Sequence, residues 1–110
     1  MKQGTHPASG SPLSGYEIHL GATTGPDCAR AWLTFDGTPE GAACPSGRVQ
    51  GCYMHGIFSS DSFRRAYLTQ FGVTSSLDFE SGVETTLDAL AAHIETYLDV
   101  DLLLTLAGEV

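Results

Sequence analysis

"GRVQGCYMHGIFSSDSFRRAYL", residues 47–68, changes its period halfway along. Residues 48–54 form an apolar run with the character of a strand, in which Gly51 marks a bulge or the close approach of another backbone. Beyond Gly56 the spacing turns helical. Ser60 or Asp61 can cap a helix over 61–71, with Phe63, Tyr67 and Phe71 as its buried stripe and Gly72 as its stop. A strand feeding a helix is a junction of an α/β layer, and His55 stands at that junction.

Upstream, "GYEIHLG" at 15–21 alternates Tyr16, Ile18 and Leu20 with Glu17 and His19, the period of a strand with one apolar face. "TTGPDC" at 23–28 is turn chemistry, and "RAWLTFDG" at 30–37 predicts a second strand. Residues 36–47 have the composition of a loop, and 1–14 that of a flexible, Gly/Ser/Pro-rich leader holding His6. Downstream, Val83, Leu87, Leu90, Ile94 and Leu98 share one face of a helix over 79–98, and 99–108 predict a short third helix. The order is therefore strands first (about 15–55), then helices (about 60–107). Three strands make a thin sheet, so the expectation is the second half of a larger α/β domain.

With 110 residues there is room for one domain. A net charge of −8 with only five Lys and Arg argues against nucleic acid or an anionic membrane as partner. No apolar run approaches the roughly 20 residues that cross a bilayer, and the first 15 residues are unlike a signal peptide, so the expected compartment is the cytoplasm. Cys28, Cys44 and Cys52 form no CxxC pair and have no regularly spaced histidine, so neither a zinc site nor a redox motif is expected. His6 and His93 read as non-ligating, and Arg64 and Arg65 as solvated or paired with Asp61.

An imidazole where His55 stands can be a proton carrier, a metal ligand or filler. Its ordinary pKa near neutrality suits acid–base work, and Gly51 and Gly56 clear space around it. Spacing alone leaves these readings open.

"GYEIHLG" and, in the right order after it, "GRVQGCYMHGIFSSDSFRRAYL" resemble the C-terminal part of the cobyric acid synthase family, glutamine-dependent amidotransferases of cobalamin biosynthesis. The resemblance implies the C-terminal half of a flavodoxin-like class I glutaminase domain, so that residues 1–110 are a partial amidotransferase domain. In that family a cysteine on a nucleophile elbow attacks the side-chain amide of glutamine, and the histidine of a Y-x-H-G block serves it; here these are Tyr53, His55 and Gly56. The family uses ATP to activate carboxylates of adenosylcobyrinic acid a,c-diamide and amidates them with the released ammonia. The implied partners are glutamine, that corrinoid, the N-terminal synthetase domain and the first half of the glutaminase domain. ATP and magnesium belong to the synthetase domain, and no cofactor or metal is expected in this chain.

Two departures from the family pattern matter. No glycine-flanked cysteine elbow and no GxxxxGK[ST] loop precede Gly15, so this chain alone is expected to be inactive. Where many class I glutaminases place a glutamate two residues after the histidine, Ile57 stands, as the resemblance implies for this branch. Glu17 and His19 are then candidates to orient His55. The alternatives are cobyrinic acid a,c-diamide synthase or a related amidotransferase subunit, and, in another class, a non-catalytic binding or regulatory module on the same scaffold.

Overall fold

The first two strands, β1 (Lys2–His6) and β2 (Ser11–Glu17), form a hairpin in register from Lys2 opposite Gly15 to His6 opposite Ser11. The computed structural model that gives this fold describes residues 1–108, in two compact units, one of Met1–Leu77 and one that begins at Asp78. The strand region thus begins at Lys2 rather than near residue 15, and the stretch expected to be a flexible leader is central to the sheet. Its disguise has a physical reason. The positions of this hairpin that face the core are Gly4, His6, Leu13 and Gly15, only one of them aliphatic, so no hydropathy alternation shows. Gly4 is required there: a Cβ would lie 2.5 Å from the Thr34 carbonyl oxygen and 2.7 Å from the Phe35 ring.

β1 pairs on its other side with β3 (Leu33–Phe35), which turns into β4 (Thr38–Glu40) through Asp36 and Gly37. Both turn residues have positive φ, +49° and +78°, the geometry that an Asp-Gly pair favours in a two-residue hairpin. The stretch 36–47, expected to be loop, therefore carries β4 and a further short strand, β5 (Ala42–Ala43). The single strand expected over 48–54 is two: β6 (Gln50–Gly51) pairs with β5, and β7 (Met54–His55) pairs with β2. The break has a cause, because the Tyr53 N–H donates to the Glu40 carboxylate (2.9 Å) instead of to a ladder. The close approach expected around Gly51 is made by Gly41, whose Cβ would meet the Gly51 carbonyl oxygen at 2.5 Å.

The larger sheet has the order β4-β3-β1-β2-β7, and every pairing among the described residues is antiparallel. Its inner face and the first helix enclose Leu13, Trp32, Leu33, Phe35, Met54, Ile57 and Phe63, with Cys52 and Tyr67 half-buried beside them. The His6 ring meets Trp32 and Phe63 edge-on, at centroid distances of 6.5 and 5.3 Å, so it belongs to the core. β2 ends at Glu17, before the expected strand of 15–21 is half done. Ile18 and Leu20 are exposed, and the apolar face of β2 is Leu13 and Gly15 rather than Tyr16, Ile18 and Leu20.

Helix α1 (Asp61–Thr69) starts after Ser60, whose hydroxyl accepts the Ser14 N–H (2.9 Å) and so ties the helix start to β2 instead of capping it. Phe63 is fully buried and Tyr67 half-buried, whereas Phe71 lies beyond the helix end, exposed. The N–H groups of Gly72 and Val73 close on the Thr69 and Leu68 carbonyls, with Gly72 at φ +71°. Arg64 is not solvated: it is buried, paired with Asp61, and bonded to the carbonyls of Phe58 and Leu77.

The second unit holds α2 (Phe79–Tyr97) and α3 (Val100–Ala107). Asp78 accepts the Ser81 N–H (3.2 Å) and Asp99 the Leu102 N–H (2.9 Å), two side-chain N-caps that set where the helices begin. Strands first and helices after is the order found. No helix among the described residues is long and apolar enough to cross a membrane.

Candidate active site

β7 is the last strand of its sheet, and His55 is its final residue, directly opposite Tyr16 of β2. The two rings are stacked, with centroids 5.6 Å apart and planes 18° from parallel. The imidazole Nε2 lies 3.1 Å from the Ile18 carbonyl oxygen. A carbonyl only accepts, so Nε2 carries a proton, and in the neutral ring Nδ1 is the acceptor. His55 is exposed, and its Nδ1 makes no hydrogen bond among the described residues.

The chain turns sharply after the histidine. Gly56 adopts φ +79°, and a Cβ there would stand 3.5 Å from the Tyr16 ring. A short 3₁₀ turn (Ile57–Ser59) follows, closed by the Ser59 N–H on the Gly56 carbonyl (3.0 Å) and the Ser60 N–H on that of Ile57 (3.3 Å). This turn sends Ile57 into the core, where it is 5% exposed. The position two residues after the histidine therefore faces apolar side chains, and a carboxylate there would be buried without a partner.

The pleat of β2 separates Glu17 from His55. Tyr16 pairs with His55, while Glu17, next along the strand, pairs with Met54 and faces the opposite side. The Glu17 carboxylate accepts from Lys2 Nζ and His19 Nε2, each at 2.8 Å. The hydrogen bond from Lys2, then that from His19, holds this carboxyl below its ordinary pKa, and the same contact raises the Lys2 ammonium. His19 stacks on Tyr53, with centroids 3.8 Å apart and planes 9° from parallel, and the Tyr53 hydroxyl hydrogen-bonds to that of Thr23. The structure thus assembles Glu17, His19 and Tyr53 in one cluster, and His55 with Tyr16 and Ile18 in another. Tyr16, Ile18 and Thr23 were hidden from sequence reasoning. Treating 15–21 as one unbroken strand turns Tyr16 inward and gives the Ile18 carbonyl to a ladder.

A cleft of about 400 Å³ lies beside the first cluster, lined by Thr23, Cys28, Glu40, Cys52 and Tyr53 among others. Cys28 is in a short 3₁₀ helix (Pro26–Ala29), Cys44 in the loop after β5, and Cys52 between β6 and β7. None of the three sits on a strand-to-helix elbow. The Ser46 hydroxyl and the Val49 N–H lower the Cys44 thiol pKa, whereas burial raises that of Cys52. Among the described residues no group of three or more His, Cys, Asp or Glu side chains is placed to hold a metal ion.

An imidazole held at the end of a strand, with one ring nitrogen not hydrogen-bonded among the described residues, suits proton exchange. The CobB/CobQ-like glutamine amidotransferase domain matches residues 1–63. The chain belongs to that family. It is 60% identical over 96 residues to a cobyric acid synthase of Ruegeria sp. (strain TM1040), covering 87% of this chain and 20% of the relative. It is 59% identical over 106 residues to that of Cereibacter sphaeroides (strain ATCC 17025), covering 96% and 22%, and 52% identical over 103 residues to that of Bradyrhizobium diazoefficiens, covering 93% and 21%. The chain therefore spans about a fifth of the length of these relatives. No solved structure matches it.

Proposed function

We propose that residues 1–110 are part of the glutaminase domain of a cobyric acid synthase and that His55 is its acid–base residue. The observation that carries the reading is the placing of His55: end of an edge strand, Nε2 on a main-chain carbonyl, Nδ1 without a hydrogen bond among the described residues. The family membership and the relatives named cobyric acid synthase support it.

The chemistry follows from the imidazole. A cysteine thiol supplied by the part of the family domain outside this chain gives its proton to Nδ1, and the thiolate attacks the side-chain amide carbon of glutamine. The tetrahedral intermediate collapses as the imidazolium passes the proton to the departing nitrogen, releasing ammonia and leaving a thioester. His55 then takes a proton from water as it attacks, and glutamate leaves with the thiol restored. The ammonia amidates carboxylates of adenosylcobyrinic acid a,c-diamide after their activation by ATP in the synthetase domain. No residue of this chain is assigned to ATP, magnesium or the corrinoid, and the chain alone has no glutaminase turnover. We place the reaction in the cytoplasm, where ATP and glutamine are at hand.

The test is a chimaera in which this chain replaces the matching fifth of the Ruegeria sp. cobyric acid synthase. His55→Asn should lower glutamine-dependent amidation about 100-fold or more while amidation from free ammonia stays within about twofold. Equal loss of both activities would overturn the assignment, as would glutamate release by the 110-residue chain alone.

A further inference from the structure

An imidazole on an exposed edge strand turns about two side-chain bonds, and proton transfer needs it in one orientation. The usual means of fixing it is an acceptor for one ring N–H, most often a carboxylate. Neither acidic candidate serves here. Glu17 lies on the other face of the sheet, occupied by Lys2 and His19. Position 57 is in the core.

Two contacts do fix the ring. The Ile18 carbonyl accepts the Nε2–H hydrogen bond and so sets both the tautomer and the ring's rotation. The Tyr16 ring lies alongside in an offset stack, centroids 5.6 Å apart and planes 18° from parallel, which limits the tilt that a single hydrogen bond would leave free. Both contacts are built by β2. The antiparallel register places Tyr16 opposite His55, and the chain leaves the strand at Glu17, which frees the Ile18 carbonyl to point at the ring instead of along a ladder. Gly56, at φ +79°, supplies the left-handed turn that follows the histidine beside the same Tyr16 ring. The phenol face also suits the charge that develops, since a cation within about 6 Å of an aromatic centroid is stabilised by the ring.

We propose that Tyr16 is the positioning residue for His55, its stacked ring acting with the Ile18 carbonyl in place of an acidic third group. This rests on the assignment of His55 made above. Tyr16 acts by its aromatic face and not its hydroxyl, and it touches neither thiol nor substrate.

The experiment uses the same chimaera with Tyr16→Phe, Tyr16→Leu, His55→Asn and the double variant Tyr16→Leu/His55→Asn. Tyr16→Leu should lower kcat for glutamine-dependent amidation about 10- to 100-fold, as a displaced acid–base group does, with KM for glutamine within about twofold. Tyr16→Phe should restore kcat to within about threefold of the parent, and amidation from ammonia should be unchanged in both. In the His55→Asn background Tyr16→Leu should cost nothing further. Tyr16→Leu with parental kcat, Tyr16→Phe as slow as Tyr16→Leu, a rise in KM in place of the fall in kcat, or parallel loss of the ammonia reaction would each overturn the proposal. Failure of His55→Asn to separate the two activities overturns the assignment of His55 itself, and is read independently of Tyr16.

Discussion

The Arg64 guanidinium reaches back beneath the turn that follows His55 and donates from Nη1 to the Phe58 carbonyl oxygen at 2.7 Å. Its Nε donates to Ser75 Oγ at 3.2 Å, and Nη2 serves both the Leu77 carbonyl at 2.5 Å and the Asp61 carboxylate. One buried side chain thus joins the histidine's turn, the first turn of α1 and the segment before α2. Arg64→Met fills much of the same space but removes every donor, leaving two main-chain carbonyls unsatisfied. Denaturant titration of the chain should show a loss of about 2–4 kcal/mol, with Arg64→Lys, which keeps the charge but not the planar fork, recovering less than half. A loss below about 0.5 kcal/mol, the range of ordinary surface changes, would show that this clamp does not hold the turn.

His6 gives the stability a pH dependence. Burial against Trp32 and Phe63 pushes its imidazole below the ordinary value of 6.5. The unfolded chain therefore binds the proton more readily than the folded one. Stability is complete above the ordinary value and falls as the pH drops through it toward the lower folded value. Unfolding midpoints measured between about pH 7.5 and 5 should decline for the parent chain and decline less for His6→Phe. Parallel curves would show that His6 takes up its proton equally well in both states.

Gly15 and Gly51 make a controlled pair. A Cβ on Gly15 would lie 2.8 Å from the His55 carbonyl oxygen and 3.3 Å from Ile57, so β7 would have to move. A Cβ on Gly51 would meet nothing within 4 Å. Gly15→Ala should destabilise the chain by about 1–3 kcal/mol, as overpacking does, and Gly51→Ala should stay within about 0.5 kcal/mol. Equal effects in thermal or denaturant melts would contradict the β2–β7 packing.

Where the chain writes its structure in side chains, the sequence is readable. The helix that begins at Asp61 shows itself by Phe63 and Tyr67, the two later helices by their apolar stripes, and the histidine by its place between a strand and a helix. The rest is written in backbone contacts. Gly4 and Gly15 are core positions because two strands come too close for any Cβ, and composition scores them as linker. The strand break at Tyr53 depends on Glu40, thirteen residues away, and no local pattern announces it. The environment of His55 was legible as a location and not as a set of partners. Its hydrogen-bond acceptor is a main-chain carbonyl, which every residue has, and its stacking partner is fixed by register, which a single strand does not carry. Asp36-Gly37 is the exception: it is a local hairpin signal, masked by the loop-like composition of the residues that follow it.

The burial of Ile57 bears on how such a site can change over generations. A single codon change could put a carboxylate two residues after the histidine, but at that place it would displace a core side chain wedged near Gly15 and lose its solvation. A chain with only that one change would therefore be less stable than this one. To hold an acidic side chain at that place, the turn at Gly56 and the core beneath it would have to be rebuilt together, so the burial of Ile57 ties the chemistry open to this position to the packing of the whole sheet.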